Sequence, residues 1–324
     1  MTPDSAVAEP TAGEYLTRWL SHVRGRVRAK TYDGYEGLIR LYALPGIGEV
    51  CLGGLGPLDL QDLYGDLLAP GRRLSGGTVR NLHLVLAQAF AQAHRWGLVE
   101  QNPMAGVQPP RPRRPERPLI DHSMASRILG ASRGTLVELP VAMAVATGMR
   151  RGEILALRWA DLDQGRTVAY VRRSLQTARG DLRFEEPKTP RSRRAVALPR
   201  FLLPYLDRQR RAQATRRGAC PSWVEGDLVV DRGDGGPVNP DTLSSGWYRI
   251  RRKAGLSGVR FHDLRHAHAT LMLVKGIHPK VVSERLGHAT VGITLDLYSH
   301  VLPSMQTEAA QAFDDLFPAS AASA

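Results

Sequence analysis

Apolar residues recur every three or four positions along most of this chain, the spacing that buries one face of an α-helix. In the first part of the chain this spacing predicts helices at residues 15–23, 35–42, 58–68 and 76–96. The glycine-rich stretch at residues 45–57 is expected to stop a helix. Helices joined by short loops in this way predict a small helical bundle.

From residue 119 onward the pattern becomes mixed. Helical spacing returns at residues 123–131, 136–146, 201–217, 241–254, 262–274, 279–286 and 305–317. Short β-rich runs predict strands at residues 168–174, 182–186 and 193–198, and the last two flank a turn at residues 187–190, as the strands of a hairpin would. The predicted fold class is mostly α with a small antiparallel β-sheet or hairpin, divided into a helical domain and a mixed α+β domain.

A proline- and arginine-rich segment separates these two patterns. Residues 109–118 contain five prolines, four arginines and one glutamate. Prolines at this density favour extended polyproline II at about 3.1 Å per residue, so the segment would reach about 31 Å, farther than the ~12 Å width of a DNA major groove. The segment is therefore predicted to be a basic strap that lies along a duplex; a solvated linker without contacts is the alternative. Its candidate DNA-binding residues are Arg111, Arg113 and Arg114.

The charge balance favours a polyanionic partner. The 324 residues include 44 Lys and Arg against 31 Asp and Glu, a net charge of +13. Residues 1–108 hold ten basic and ten acidic side chains, whereas residues 119–324 hold 30 basic and 20 acidic ones. Such a field attracts nucleic acid. An anionic membrane surface fits less well, because no basic amphipathic helix with a strongly apolar back is visible.

Four clusters in the second domain contain side chains that suit chemistry on a phosphate. They lie at residues 146–153, 187–190, 262–268 and 286–300. The candidates in them are Arg150, Glu153, Lys188, His262, Arg265, His288, Tyr298 and His300. Taken singly, each has an ordinary explanation: an Arg–Glu pair three residues apart is usually a surface ion pair, and a lone tyrosine on a helix is usually part of the core. His262 and His266 lack the intervening glutamate of a zincin motif, so no metal site is predicted.

Taken in chain order, the clusters resemble the tyrosine recombinase family, the phage-type integrases. The matching elements are Thr-Gly-x-Arg-x-x-Glu at Arg150, Pro-Lys-Thr at Lys188, His-Asp-Leu-Arg-His at residues 262–266, Leu-Gly-His at His288, and Thr-x-x-x-Tyr-x-His at Tyr298 and His300. Ala267-His268 stands where Thr-Phe is more usual, a departure expected to affect packing more than chemistry. The chain starts almost directly at the core-binding helices, so arm-site control of direction is not expected.

The resemblance implies both a domain layout and a function. It implies a helical, SAM-like core-binding domain at residues 1–108, a linker at 109–118, a catalytic domain of the tyrosine recombinase type at 119–304, and a tail helix at 305–324 that is exchanged between subunits. The implied activity is that of a site-specific DNA recombinase, an integrase, which cleaves and rejoins DNA through a 3′-phosphotyrosine intermediate and a Holliday junction. A type IB-like nicking-closing topoisomerase and a non-catalytic DNA-binding regulator are the alternatives.

The implied roles agree with the chemistry of the side chains. Arg150 and Arg265 are always protonated and would bind the non-bridging phosphate oxygens, with His288 adding a hydrogen bond. Tyr298 would be the nucleophile, helped by the arginines and by His262, because a free phenol has a pKa of about 10. Glu153 and His300 would support this set.

Lys188 is implied to be the general acid for the departing 5′ oxygen. An amine can lose its proton, which a guanidinium does not do in proteins. The chain contains 39 arginines and only five lysines, as expected from a codon bias that favours arginine. Such a bias does not explain why position 188 is a lysine.

The expected partners follow from this activity. They are double-stranded DNA carrying a specific site, further copies of the chain in a homotetramer on that DNA, and accessory directionality factors, with no membrane partner. No cofactor is expected, because a phosphotyrosine link conserves the energy of the phosphodiester and cationic side chains take the place of a metal. Cys51 and Cys220 are too far apart in sequence to suggest a disulfide framework, so a cytoplasmic, nucleoid-associated protein is predicted.

Overall fold

The computed structural model describes residues 9–72, 74–111, 120–186, 193–298, 310–311 and 313–316. Within this part the chain forms two compact units, one mainly from residues 9–111 and the other mainly from residues 120–316. Some of the predictions fall outside the described residues. These concern Lys188, His300, Arg113, Arg114, the turn at 187–190 and most of the linker and the tail.

The first unit is helical, as predicted. Its helices are α1 (Ala12–Val23), α2 (Ala29–Leu38), α3 (Leu44–Ile47), α4 (Pro57–Leu68) and α5 (Gly76–Arg95). Ser75 caps α5 by accepting from the backbone N–H of Thr78. The apolar faces of the helices meet in one core, in which Tyr15 donates to the carbonyl of Ala89 at 2.5 Å.

The prediction that a helix stops at the glycine-rich stretch is wrong by a few residues. A π-helical turn at Ile39–Ala43 follows α2, and α3 then carries the helix through Pro45 to Ile47. Pro45 lies in the first turn of α3, where a missing backbone N–H is tolerated. The π-turn shifts the hydrogen-bond register just before the proline, so the helix accommodates it.

The second unit mixes helices and short strands. Its helices are α6 (His122–Ser132), α7 (Glu138–Thr147), α8 (Arg151–Leu155), α9 (Leu203–Ala219), α10 (Pro240–Lys253), α11 (Asp263–Val274), α12 (Pro279–Leu286) and α13 (Gly292–Tyr298). Its strands are β1 (Val168–Val171), β2 (Ser174–Ala178), β3 (Asp181–Glu185) and β4 (Arg194–Ala197). Helix α7 is buried from Leu139 to Thr147, so it lies at the centre of this core. The mostly helical fold class with small antiparallel sheets is confirmed.

The predicted hairpin of residues 182–186 with 193–198 is wrong. Strand β3 pairs with β2, whereas β4 pairs antiparallel with β1, with Val171 opposite Arg194. The turn between β2 and β3 consists of Arg179 and Gly180, both at positive φ (53° and 84°), as in the tight two-residue turns that join strands. This short loop closes a hairpin within the run that precedes residues 187–190.

None of the described helices combines the length and the apolar character that crossing a bilayer requires.

Candidate active site

The site is built where α7 ends against α11 and α12. Gly148 closes α7 in the left-handed region, at φ 64°. A Cβ on Gly148 would overlap the Leu286 side chain and lie 2.8 Å from the ring of His268. Glycine is therefore needed here for its backbone conformation and for the close approach of these helices.

Glu153 lies at the centre of an arginine cluster. Its two carboxylate oxygens accept four hydrogen bonds, from the backbone N–H and Nη1 of Arg150, both at 2.8 Å, and from Nη1 and Nη2 of Arg194 at 3.0 and 2.9 Å. The side chains of Glu153 and Arg194 are each only 6% exposed, whereas that of Arg150 is 40% exposed. Burial acts to raise the pKa of Glu153, but the hydrogen bonds and charge of Arg194 and Arg150 outweigh it and lower the pKa below its ordinary value. Glu153 is thus held as a carboxylate, and it orients both arginines.

The C-terminal end of α12 binds the same arginines from the other side. The backbone of Gly287 adopts the left-handed conformation. Its N–H donates to the carbonyl of Glu284, and the N–H of His288 donates to that of Ser283, which completes a Schellman motif. The next three carbonyls along the chain are free for other donors. They accept from three arginines: the Arg285 carbonyl from Arg194 Nε at 2.7 Å, that of Leu286 from Arg265 Nη2 at 2.7 Å, and that of Gly287 from Arg150 Nη2 at 3.1 Å.

Arg265 is the least exposed of these three arginines. It is 3% exposed, and its Nη1 also donates to the carbonyl of Gly148 at 2.7 Å. Burial, followed by repulsion from Arg150, lowers the pKa of Arg265 to about 9, so the guanidinium stays cationic at neutral pH. Two carbonyls at helix ends, where the backbone dipoles leave partial negative charge, compensate a cation that meets little water.

His288 follows the three carbonyls directly. Its ring is half-buried, and Nδ1 lies 2.8 Å from the hydroxyl of the buried Thr294. Burial and the charges of Arg265 and Arg150 lower the pKa of His288 to about 4. His288 is therefore neutral at physiological pH. When the Thr294 hydroxyl donates to Nδ1, the single ring proton lies on Nε2 and can be donated to a substrate oxygen.

Two other residues of the predicted site, His262 and Tyr298, lie at the start of α11 and at the end of α13. His262 is exposed at the N-cap of α11, one turn before Arg265, and its ring meets the edge of His266 at 5.2 Å between centroids. Tyr298 is the last residue of α13, which packs against α11 and α12. Its backbone therefore belongs to the same helical cluster as Arg265 and His288. Among the described residues no His, Cys, Asp and Glu side chains gather as a metal-binding group.

Two residues near the site were missed by the sequence reasoning. Arg194 had no signal, because it is one of many arginines and its role depends on contacts between β4, α8 and α12. His268 was noted only as a departure from the family. In the structure its buried Nδ1 lies 2.9 Å from the carbonyl of Val145 and its Nε2 accepts from Arg285 Nε at 3.0 Å.

Arg285 extends this second network across the unit. Its Nη2 donates to the carbonyl of Ala146 at 3.1 Å and to that of Ala197 at 2.8 Å. The side chain thus ties α12 to the end of α7 and to β4. The departure at His268 therefore adds a polar link that a phenylalanine could not make.

Family models match both parts of the chain. The model described as "Phage integrase family" matches residues 120–305, and the one described as "Phage integrase, N-terminal SAM-like domain" matches residues 11–68. Similar curated proteins agree. A tyrosine recombinase XerC-like protein of Caldanaerobacter subterraneus subsp. tengcongensis is 28% identical, over 95% of this chain and 83% of its own length. The ICEBs1 integrase of Bacillus subtilis is 33% identical over 54% of this chain and 47% of its own length.

Solved structures share the fold. The Tn1549 transposon integrase in complex with a circular intermediate DNA has a TM-score of 0.76 and 22% identity, covering 94% of this chain and 99% of that one. A lambda integrase tetramer bound to a Holliday junction has a TM-score of 0.68 and 19% identity, covering 90% of this chain and 78% of that one. Since a family model matches more than half of its residues, this chain belongs to the phage integrase family of tyrosine recombinases.

Proposed function

We propose that this chain is a site-specific DNA recombinase that cuts and rejoins DNA through a 3′-phosphotyrosine on Tyr298. The observation that carries the proposal is the cluster of Arg150, Arg265 and the neutral His288 at the meeting point of α7, α11 and α12. Family membership supports the same reaction. The motifs that carry this match occur in the family's order along the chain.

The charge of the cluster suits a phosphodiester. Among the described residues, one carboxylate, that of Glu153, pairs with Arg150 and Arg194, while Arg265 bonds to neutral carbonyls. Positive charge is therefore in excess at a place where Arg150 is partly open to solvent. Cations fixed before the substrate arrives stabilise the charge of a pentavalent transition state most effectively, because they need not reorganise.

Each side chain has a distinct task in the reaction. Tyr298 gives up its phenolic proton, for which His262 is the proposed acceptor, and its oxygen attacks the phosphorus. The bond to the 5′ oxygen breaks as the bond to the phenol oxygen forms. Arg150 and Arg265 bind the non-bridging oxygens, and His288 donates a hydrogen bond to one of them. Lys188 gives a proton to the departing 5′ oxygen. Attack of that 5′ hydroxyl, or of one from a partner strand, on the phosphotyrosine reverses the step and rejoins DNA.

The assembly follows from the same proposal. Residues 1–108 and the catalytic domain at 119–304 would each bind the duplex, with linker residues Arg111, Arg113 and Arg114 on its backbone. Four copies would bind two sites together, in line with the lambda integrase tetramer that is bound to a Holliday junction. The protein would act in the cytoplasm on the nucleoid, and accessory factors would set its direction.

The experiment begins with identification of the DNA site. DNA that remains attached to the protein after SDS treatment of cells is recovered and sequenced, and nicked duplexes with that sequence serve as substrates. We expect Arg150→Ala to slow single-turnover cleavage by about 10²–10³-fold, the usual cost of one missing charge stabiliser. On a duplex with a neutral methylphosphonate at the scissile position the variant should regain most of the rate, because less charge needs neutralisation.

Arg216→Met is the matched control. Arg216 pairs at 2.9 Å with Asp231, whose side chain is fully buried, in the same unit but away from the cluster. This variant should cleave both substrates as the wild type does. If Arg150→Ala cleaves the ordinary duplex at the wild-type rate, the proposed role of Arg150 in binding the non-bridging phosphate oxygens is wrong.

A further inference from the structure

The buried guanidinium of Arg194 joins the two supports of Arg150. It lies on β4, is 6% exposed, and donates through Nη1 and Nη2 to the two oxygens of Glu153. Its third donor, Nε, reaches the Arg285 carbonyl at the end of α12 at 2.7 Å. One rigid, planar side chain therefore fixes the distance between the α8 carboxylate and the α12 carbonyls.

Those same two elements hold Arg150. Glu153 accepts from its backbone N–H and Nη1, and the Gly287 carbonyl, two residues beyond that of Arg285, accepts from its Nη2. Arg194 does not need to reach the substrate to act, because it is far less exposed than Arg150. Any change in its position would move both groups that orient the exposed guanidinium.

We propose that Arg194 is a positioning residue for the cleavage reaction, acting through Glu153 and the C-terminal end of α12 to fix Arg150. This inference rests on the proposed role of Arg150 as a phosphate-binding residue. A lysine cannot replace Arg194, because a single ammonium cannot donate to two carboxylate oxygens in a planar fork and also to the carbonyl of Arg285.

The test is a double-mutant cycle on the single-turnover cleavage rate at saturating DNA, with the nicked duplex of recovered sequence as substrate. Arg194→Met, Arg150→Ala and the double variant are compared with the wild type. A loss of orientation at a reacting group costs about 10²-fold, so Arg194→Met should slow cleavage by that order while DNA affinity stays nearly unchanged. If Arg194 acts through Arg150, the double variant should be no slower than Arg150→Ala.

Comparison of the cleavage rates on the ordinary and methylphosphonate duplexes gives a second, independent test. Arg194→Met should regain rate on the methylphosphonate duplex as Arg150→Ala does, because its defect is a misplaced Arg150. A residue with only a structural role would slow cleavage of both duplexes equally. Arg216→Met again serves as the control for loss of an arginine from a buried carboxylate.

The outcomes separate the two proposals. If Arg150→Ala cleaves normally, the proposed role of Arg150 fails whatever Arg194 does. If Arg150→Ala is slow but the two defects multiply in the double variant, Arg194 acts independently and the inference is overturned. Arg194→Met removes the main partner of Glu153, and if that variant does not fold, Arg194→Lys takes its place in the test. Because Arg194→Lys keeps the positive charge, we expect it to fold. We expect it to cleave at least about ten-fold more slowly than the wild type. A wild-type rate for Arg194→Lys would also overturn the inference.

Discussion

Acid should destabilise this protein through His268. The ring accepts a hydrogen bond from Arg285 at Nε2, and Nδ1 faces the carbonyl of Val145. Both bonds are satisfied only by the neutral ring with its proton on Nδ1. A second proton, on Nε2, would place two donors against each other in a buried place. Burial is the largest cause that lowers the pKa of His268, to about 4 from an ordinary value of 6.5.

The sign and size of the effect follow from this difference. Because the folded-state pKa lies below that of the unfolded chain, the unfolded state takes up a proton first as the pH falls. The stability that His268 contributes is complete above about pH 6.5 and is lost towards about pH 4. Between about pH 7 and about pH 5, linkage gives a loss of about 2 kcal/mol in the free energy of unfolding.

His268→Phe isolates this contribution. The variant removes the titrating group and leaves the Arg285 Nε and the Val145 carbonyl without these bonds, which should cost about 1–3 kcal/mol at neutral pH. Urea unfolding followed by circular dichroism, on both proteins at each pH, gives the difference in free energy of unfolding. We expect that difference to shrink by about 2 kcal/mol from about pH 7 to about pH 5, because all other titrating groups are common to both proteins. A difference that does not change with pH would refute the reasoning.

Three further predictions concern Lys188, the linker arginines and the C-terminal tail, most of which lie outside the described residues. Lys188→Ala should cleave ordinary DNA about 10²–10⁴-fold more slowly than the wild type, which is the usual contribution of a positioned general acid. It should regain most of its rate on a 5′-bridging phosphorothiolate, because a thiolate leaves without being protonated. Arg150→Ala should not regain rate on that substrate, and equal defects of Lys188→Ala on both substrates would mean that Lys188 is not the acid. Glutamine at the three linker arginines should lower the slope of log K for DNA against log salt, because fewer counterions are released; an unchanged slope would mean that the linker does not touch the backbone. These positions are Arg111, Arg113 and Arg114. Truncation after Ser304 should leave binding of a single subunit to DNA intact but weaken synaptic complexes in gel shifts, because the tail is expected to dock on a neighbouring subunit; equal assembly without it would contradict docking in trans.

The helices could be predicted from the sequence because their signal is local. Apolar spacing placed α1, α4 and α5 within a few residues of their observed bounds. The pairing of strands could not be predicted in the same way. It depends on contacts between distant segments, and the turn at Arg179–Gly180 joins β3 to β2 instead of to β4.

The candidate site residues were predicted from the order of their motifs, not from any property of a single side chain. In the structure Arg150 and Arg265 donate to carbonyls at the end of α12, and His288 follows directly after them. Arg194 and the link between His268 and Arg285 remained hidden, because burial and carbonyl acceptors exist only after folding. Backbone carbonyls have no signature in a sequence, and three of them organise this cluster.

The identity of the nucleophile is the central claim, and a trapped adduct tests it most directly. The nicked duplex of recovered sequence is incubated with the protein, and the SDS-resistant complex is digested with trypsin and nuclease and mapped by mass spectrometry. We expect the nucleotide on Tyr298, and we expect Tyr298→Phe to bind the duplex with nearly unchanged affinity but to form no adduct, since only the attacking oxygen is lost. A nucleotide on another residue, or an adduct that persists in Tyr298→Phe, would contradict the account.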